Sequence, residues 1–322
     1  MENLIKKLDL NEYITNFSKL FAREKSIILE GDINIHYKII SELSKYNINQ
    51  PLSVQNLDSQ LMHLQKQGVL RVYEIYEFIK IINYFLYLKR FNFQGKLLEW
   101  MDKIVIPNEI LKICEYFDDK ANLKEGVDED FDNIKQAIYK NKEEIKQSLY
   151  KTINSSKIKP YLVDMQVHFI NEQECLLVRG GFNHILSGSV IDRSNSGFFY
   201  VIPHSVSDLK QKQSDLKNKQ EEILFRLCKE ISHIFERNLL FLKFINKEFD
   251  RFDHYQARIF FSKIGDKNFI LPSKKDENRL VDFCHPALSS PRPISIDFSK
   301  SVIMITGVNA GGKTMMLKSI LS

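Results

Sequence analysis

The residues of this chain best suited to chemistry are Gly307, Val308, Asn309, Ala310, Gly311, Gly312, Lys313 and Thr314. They match the spacing G-x-x-x-x-G-K-[ST], in which a glycine-rich turn aims backbone N–H groups inward and forms a concave seat for phosphate. A helix that starts at the lysine adds the positive end of its dipole to that seat. Lys313 then lies along the β- and γ-phosphates, and the Thr314 hydroxyl completes the shell of a Mg2+ ion. The spacing therefore predicts a site for ATP with Mg2+. Hydrolysis requires more: a carboxylate strand for the metal and a group that orients the attacking water. Neither is read between Thr314 and Ser322, so no catalytic residue is assigned, and these residues are expected to hold nucleotide without turning it over.

The flanks support this reading. Ser301-Val302-Ile303-Met304-Ile305 is a short apolar run of buried-strand type, and Met315 to Leu321 has the spacing and propensity of a helix. Strand, glycine loop and helix thus come in the order a phosphate loop needs.

The elements ahead of the loop divide the chain into four. Residues 1–122 read as a helical core and lever, in which Leu61, Leu64, Ile75, Ile79 and Ile82 recur at helical offsets, while Arg71, Glu74, Glu77, Lys80 and Asn83 form one polar stripe. Residues 123–235 read as an arm. An acidic first turn (Glu129, Asp130, Asp132) opens a helix that must stop before Pro160, and Met165–Ile170, Glu174–Val178, Ser189–Asp192 and Phe198–Ile202 are predicted strands of a β tip over about 161–203. Ser205-Val206-Ser207-Asp208 resembles a capping box for the returning helix, where Leu209, Leu216 and Ile223 are spaced by seven. An ordinary helical hairpin packed on a core is the alternative to a projecting arm. Residues 236–272 read as a return lever, and 273–322 as the start of a phosphate-loop domain. The fold class is mainly α with a small β insertion, followed by the truncated start of an α/β ATPase domain.

Composition sets outer bounds. With 43% hydrophobic and 27% charged residues, the 322-residue chain falls in the ordinary globular class rather than the disordered or fibrous ones. A net charge of +5 permits an anionic partner without requiring one. Lys146, Lys151, Lys157 and Lys159 on the outgoing side of the arm, and Lys210, Lys212, Lys217 and Lys219 on the returning side, are candidates for phosphate contact or simply a solvated face. Asp164, Glu172, Glu174 and Asp192 outnumber Arg179 and Arg193 at the tip. Cys114, Cys175, Cys228 and Cys284 form no C-x-x-C pair, which argues against a zinc ribbon or disulfide scaffold and for a reducing cytoplasm. His168 and His184 lack metal-ligand spacing. The charged N-terminus is not a secretory signal, and no apolar run is long enough to span a bilayer, so no membrane partner is expected.

Ile305 to Thr314 resembles the T-G-x-N-x-G-G-K-[ST] loop of the MutS family of DNA-repair ATPases. Gly188-Ser189-Val190-Ile191-Asp192-Arg193-Ser194-Asn195-Ser196-Gly197 is similar to the clamp signature G-x-V-x-D-x-S-x-S-G of the bacterial paralogue branch that lacks a mismatch-reading domain and suppresses recombination. His285-Pro286 resembles the pair preceding that family's ATPase sheet. Val308 stands where the family usually has proline, and Glu174-Cys175-Leu176-Leu177-Val178 replaces a more basic, aromatic strand. The resemblance implies an N-terminal fragment of a homodimeric ATPase whose clamp binds DNA, specifically branched DNA or recombination intermediates, with arm position coupled to ATP. It leaves a second reading as the alternative, since this branch is also associated with ribosomes: a quality-control module gripping a ribosome or structured RNA. An unrelated coiled-arm ATPase of the chromosome-maintenance type is a third, disfavoured because that class places its phosphate loop before the coil.

Overall fold

The structure is a computed structural model that describes residues 2–171, 173–264, 279–288, 290–299, 302–306 and 312–322. Seven helices come first: α1 (Glu2–Lys7), α2 (Asn11–Ser18), α3 (Ile33–Leu43), α4 (Asp58–Gln65), α5 (Val72–Leu88), α6 (Gly95–Asp102) and α7 (Asn108–Glu115). Then follow α8 (Glu129–Ile153), β1 (Leu162–Ile170), β2 (Gln173–Val178), β3 (Gly188–Arg193), β4 (Phe199–Pro203), α9 (His204–Arg237) and α10 (Leu239–Ile264). A hairpin of β5 (Arg279–Phe283) and β6 (Ile294–Asp297) precedes α11 (Lys313–Leu321). The chain is mainly helical with a small β insertion, as the periodicities predict. It divides into two units: residues 1–68, 73–114 and 234–322, and residues 69–72 and 115–233.

The first unit is built on α5 and α10. Ile75, Phe78, Ile79, Ile82 and Phe85 of α5, and Leu242, Ile245, Phe249, Phe252 and Tyr255 of α10, are all essentially inaccessible. Rings lock the two sets together, as where Phe85 meets Phe252 and Trp100 of α6 stacks on Phe252 at 5.8 Å. The polar stripe predicted on α5 is not simply solvated. Glu77 accepts from the Gln55 N–H at 2.8 Å and Lys80 donates to the Ser53 carbonyl, and Tyr84, outside the stripe, donates to the Asn49 carbonyl, so these side chains pin an extended segment that has no ladder partner among the described residues. A charged clasp does the same for the segment after α2. Arg23 donates to both carboxylate oxygens of Asp250 at 2.8 and 2.7 Å and to Asn246 Oδ1 at 2.8 Å, while Lys25 pairs with Asp250 and Asp253.

In the second unit α8 starts where Asp128 caps it, its carboxylate accepting from the Phe131 N–H at 2.8 Å. The acids of the first turn suit the helix dipole, as expected. Helices α8 and α9 run antiparallel: Asp128 meets Arg226, Asn141 donates to the Leu209 carbonyl, Glu144 meets Lys212 and Ser148 donates to the Ser205 carbonyl. Leu209, Leu216 and Ile223 are half-buried. The sheet at the end is antiparallel in the order β1-β2-β4-β3. Its four strands fall within a residue or three of the predicted runs. Cys175, Leu176 and Val178 of β2 and Val201 of β4 are fully buried against Ile145, Leu149 and Ile153 of α8.

Two local expectations are corrected. The capping box at Ser205–Asp208 does not open α9, which begins at His204 directly after β4, with the His204 N–H donating to the Ser187 carbonyl at 2.8 Å. The run predicted as a buried strand before the phosphate loop is not one. Val302–Thr306 has no regular structure, and Val302 and Met304 are each 82% exposed. An apolar run becomes a buried strand only when neighbouring strands take up its backbone hydrogen bonds, and none of the described strands lies beside it.

Candidate nucleotide site and nucleic-acid interface

The described part of the predicted phosphate loop is its helical end; Gly307, Val308, Asn309, Ala310 and Gly311 lie outside the described residues. Gly312 has φ +81° and stands at the N-terminus of α11, with its carbonyl accepting from the Met316 N–H at 2.9 Å. A Cβ there meets nothing within 4 Å, so the left-handed backbone, not crowding, is what calls for glycine. Lys313 opens the helix half-buried, and Thr314 follows with an exposed side chain. A lysine and a hydroxyl in a first helical turn fit a phosphate and its Mg2+. Among the described residues no cluster of three or more His, Cys, Asp or Glu side chains is placed to hold a metal by itself.

The same unit holds this helix in place from behind. Lys318 of α11 is ion-paired with Asp9, and Ser319 donates back to the Met315 carbonyl. His285 of the His-Pro pair is buried, its Nε2 donating to the Leu8 carbonyl at 3.0 Å and its Nδ1 accepting from the Ala287 N–H at 3.3 Å. Those two contacts fix a neutral Nε2–H tautomer. His285 thus anchors the N-terminal segment, a role the pair's resemblance did not reveal.

In the second unit the eight candidate lysines separate into groups. Lys210 is ion-paired with Glu174, which counts against it as a free phosphate contact; burial pushes the Glu174 carboxyl up, and Lys210 more than offsets this and holds it below the ordinary range. Lys212 faces Glu144 at 3.4 Å. Lys146, Lys151, Lys157, Lys159, Lys217 and Lys219 are exposed. Lys146 and Lys217 come from different helices to one groove of about 430 Å³, together with Tyr150, Phe169 and Glu174. Lys151 lines a separate shallow depression beside Tyr150 and Asn154, and Lys219 another beside Asp130 and Glu222. Phe169 is 66% exposed and Tyr150 48%. Sequence reasoning missed both aromatics: Phe169 simply continues the alternation of Met165 and Val167 along β1, so no local signal marks it as exposed.

The segment Gly188–Gly197 is β3 and the turn that leads back into β4. A Cβ on Gly188 would sit 2.6 Å from the Ile202 carbonyl oxygen, Gly197 has φ +80°, and Ser194 Oγ accepts from the Phe198 N–H at 3.1 Å. Gly188, Ser194 and Gly197 are therefore accounted for by close strand approach and turn geometry. Asp192 and Arg193 remain exposed on it, with the Arg193 guanidinium 4.7 Å from the Phe199 ring.

No protein-family model matches the sequence. Over 325 aligned residues, 99% of this chain, it is 36% identical to the endonuclease MutS2 of Helicobacter pylori strain 26695, of which the match covers 42%. It is 26% identical to the endonuclease MutS2 of Borreliella burgdorferi over 67% of this chain and 27% of that protein. With the endonuclease MutS2 of Streptococcus uberis the figures are 29% identity, 50% of this chain and 21% of the relative. The chain is thus homologous to bacterial MutS2 proteins over most of its length, and it spans well under half the length of these relatives.

Proposed function

We propose that this chain is the arm-bearing and phosphate-loop-bearing portion of a MutS2-type protein that grips structured nucleic acid under the control of bound nucleotide. Homology to MutS2 proteins supports an ATPase- and nucleic-acid-associated function in general terms. The observation that carries the finer reading is the groove of the second unit, where Lys146 and Lys217 flank the exposed rings of Phe169 and Tyr150. Lysines neutralise phosphates without reading sequence, and exposed rings stack on bases that are not already paired. Unpaired bases are what structured RNA displays in its loops and bulges, so RNA, including RNA on a ribosome, is the first ligand class. The tip agrees, because its charges are of mixed sign: Glu174 is held by Lys210, and Asp164 meets His168, leaving no continuous basic face for a duplex backbone among the described residues. Branched DNA is the second reading, favoured by the six exposed lysines along the arm.

At the other site, ATP with Mg2+ binds Gly307 to Thr314, with Lys313 on the phosphates and Thr314 on the metal. Dimerisation of the full-length protein through its complete ATPase domain is the corresponding assembly.

Competition between ribosomes and four-way DNA junctions at matched salt tests the ligand class. Ribosomes should win, and Phe169→Ala or Lys146→Ala/Lys217→Ala should each weaken that binding at least tenfold. Preference for junctions with no effect of Phe169→Ala would overturn the RNA reading. Lys313→Ala should abolish binding of a fluorescent ATP analogue while the circular dichroism spectrum is unchanged; retained binding would sink the assignment of the loop.

A further inference from the structure

We infer that the groove of the second unit is one end of a longer track, which continues past Tyr150 to Lys151 and takes a run of about four consecutive unpaired nucleotides. The inference rests on the reading of the groove as a nucleic-acid site and adds the form its ligand must have. The groove that holds Lys146, Phe169 and Lys217 and the shallow depression that holds Gln147, Lys151 and Asn154 are both lined by Tyr150, so the tyrosine is their common wall. A chain seated in the groove can run over that ring into the depression.

The line of the track is set by α8. Glu143, Lys146 and Tyr150 follow one another at helical offsets, as do Gln147, Tyr150 and Asn154, so both depressions open on one side of that helix. From Lys142 to Lys151 the helix runs about 14 Å at its rise of roughly 1.5 Å per residue, the length of about four nucleotides at the roughly 3.4 Å spacing of a stacked strand. The facing wall of the groove is β1, an edge strand of the sheet, which contributes Val167 and Phe169. Phe169 stands directly across from Glu174 of β2, and that carboxylate is taken by Lys210, so the anion beside the exposed ring is already compensated.

Charge and exposure select the ligand. Among the described residues Lys146, Lys151 and Lys217 are exposed and have no ion-pair or hydrogen-bond partner, while Glu143 is the one lining carboxylate left without one. Three free cations against one free carboxylate favour an anion, and because they lie on both sides of Tyr150 and on two helices they favour one with several separate charges. Both rings are open to solvent, Phe169 the more so, and such rings stack on the flat face of any base. A duplex hides those faces between its own base pairs. A single strand presents flat rings and evenly spaced phosphates together, which is the pattern of rings and lysines here.

The test follows the fluorescence anisotropy of labelled oligouridylates and oligothymidylates, two to ten nucleotides long, titrated with the whole chain. Affinity should rise at least tenfold from two to four nucleotides and level off soon after, and a blunt ten-base-pair duplex should bind at least tenfold more weakly than the single strand. Three lysines at about 0.7 released counterions each give a slope of about −2 for log affinity against log salt, and Lys151→Ala should reduce its size by about 0.7. Tyr150→Ala should weaken the tetranucleotide at least tenfold, and Tyr150→Phe should restore it, with unchanged circular dichroism spectra throughout. Lys140→Ala, exposed on α8 but outside both depressions, should change neither affinity nor slope. Either sugar supports the track, and the tighter of the two assigns RNA or DNA as its source. The proposal is overturned if the duplex binds as well as the single strand, if two nucleotides bind as well as four, or if Lys151→Ala leaves the slope unmoved. Ribosome binding that falls with Phe169→Ala but not with Lys151→Ala would keep the groove and remove the track, whereas indifference to Phe169→Ala would remove the groove itself.

Discussion

Replacing Arg23 by Met tests how the helical unit is held together. The guanidinium is 5% exposed and directs its donors at Asp250, Asn246 and the Gln55 carbonyl. Met fills a similar volume without donors, so the loss can be worked contact by contact. Asn246 Oδ1 is left without its charged donor in a buried place, which costs about 2–3 kcal/mol. The Asp250 carboxylate is 37% exposed and keeps Lys25 at 2.6 Å, so solvent screening limits that part to about 1 kcal/mol at most. Against these stands the desolvation of the guanidinium, which the variant no longer bears, on the order of 1 kcal/mol or more. The net expectation is a loss of about 2–3 kcal/mol. Urea unfolding followed by Trp100 emission measures it, since that residue lies in the same unit. Arg23→Lys should fall between wild type and Met, because lysine keeps the charge but not the fork. The pH dependence gives a second readout. Burial pushes the Asp250 carboxyl up, but the hydrogen bond from Arg23 and the charge of Lys25 outweigh it and hold it below the usual carboxylate range. A depressed carboxyl contributes stability above its unfolded pKa and loses it as pH falls through the folded one, so the wild type should weaken on acidification more steeply than the Met variant. A loss below about 0.5 kcal/mol, or a Lys variant identical to wild type, would refute the reasoning.

Three further outcomes follow from particular contacts. Gly188→Ala should destabilise the sheet of the second unit by about 1–3 kcal/mol, seen as faster limited proteolysis near the tip, because the new Cβ would meet backbone that cannot turn aside. Asp128→Ala should cost about 1 kcal/mol in urea unfolding through loss of the α8 cap, with little added by the exposed Arg226 pair. Thiol titration of the native chain at pH 8 should find one fast cysteine, Cys284, and four after unfolding. Cys114, Cys175 and Cys228 are buried, and burial pushes the Cys175 thiol up to about 11, leaving it protonated.

Several features were legible in the sequence because they depend on neighbours along the chain. The helical period of α5, the strands of the β tip, the acidic start of α8 and the glycine before Lys313 are all set by side chains within a turn or two, or by a backbone angle only glycine adopts freely. The phosphate-loop spacing belongs to the same class. Other features depended on residues brought together from far apart. Lys210 and Lys212 look like Lys217 in sequence, yet Glu174 and Glu144 neutralise the first two while the third stays open beside Phe169. Charge is a property of a residue, but free charge is a property of what faces it. Val302 to Ile305 carries every mark of a buried strand, yet Val302, Ile303 and Met304 are exposed, because burial requires partner strands that a run cannot supply for itself. Composition and local spacing determined the elements and the expectation of a phosphate loop; only the tertiary structure decided which lysines stay uncommitted, which aromatic rings reach solvent, and that Lys146, Phe169 and Lys217 share one groove.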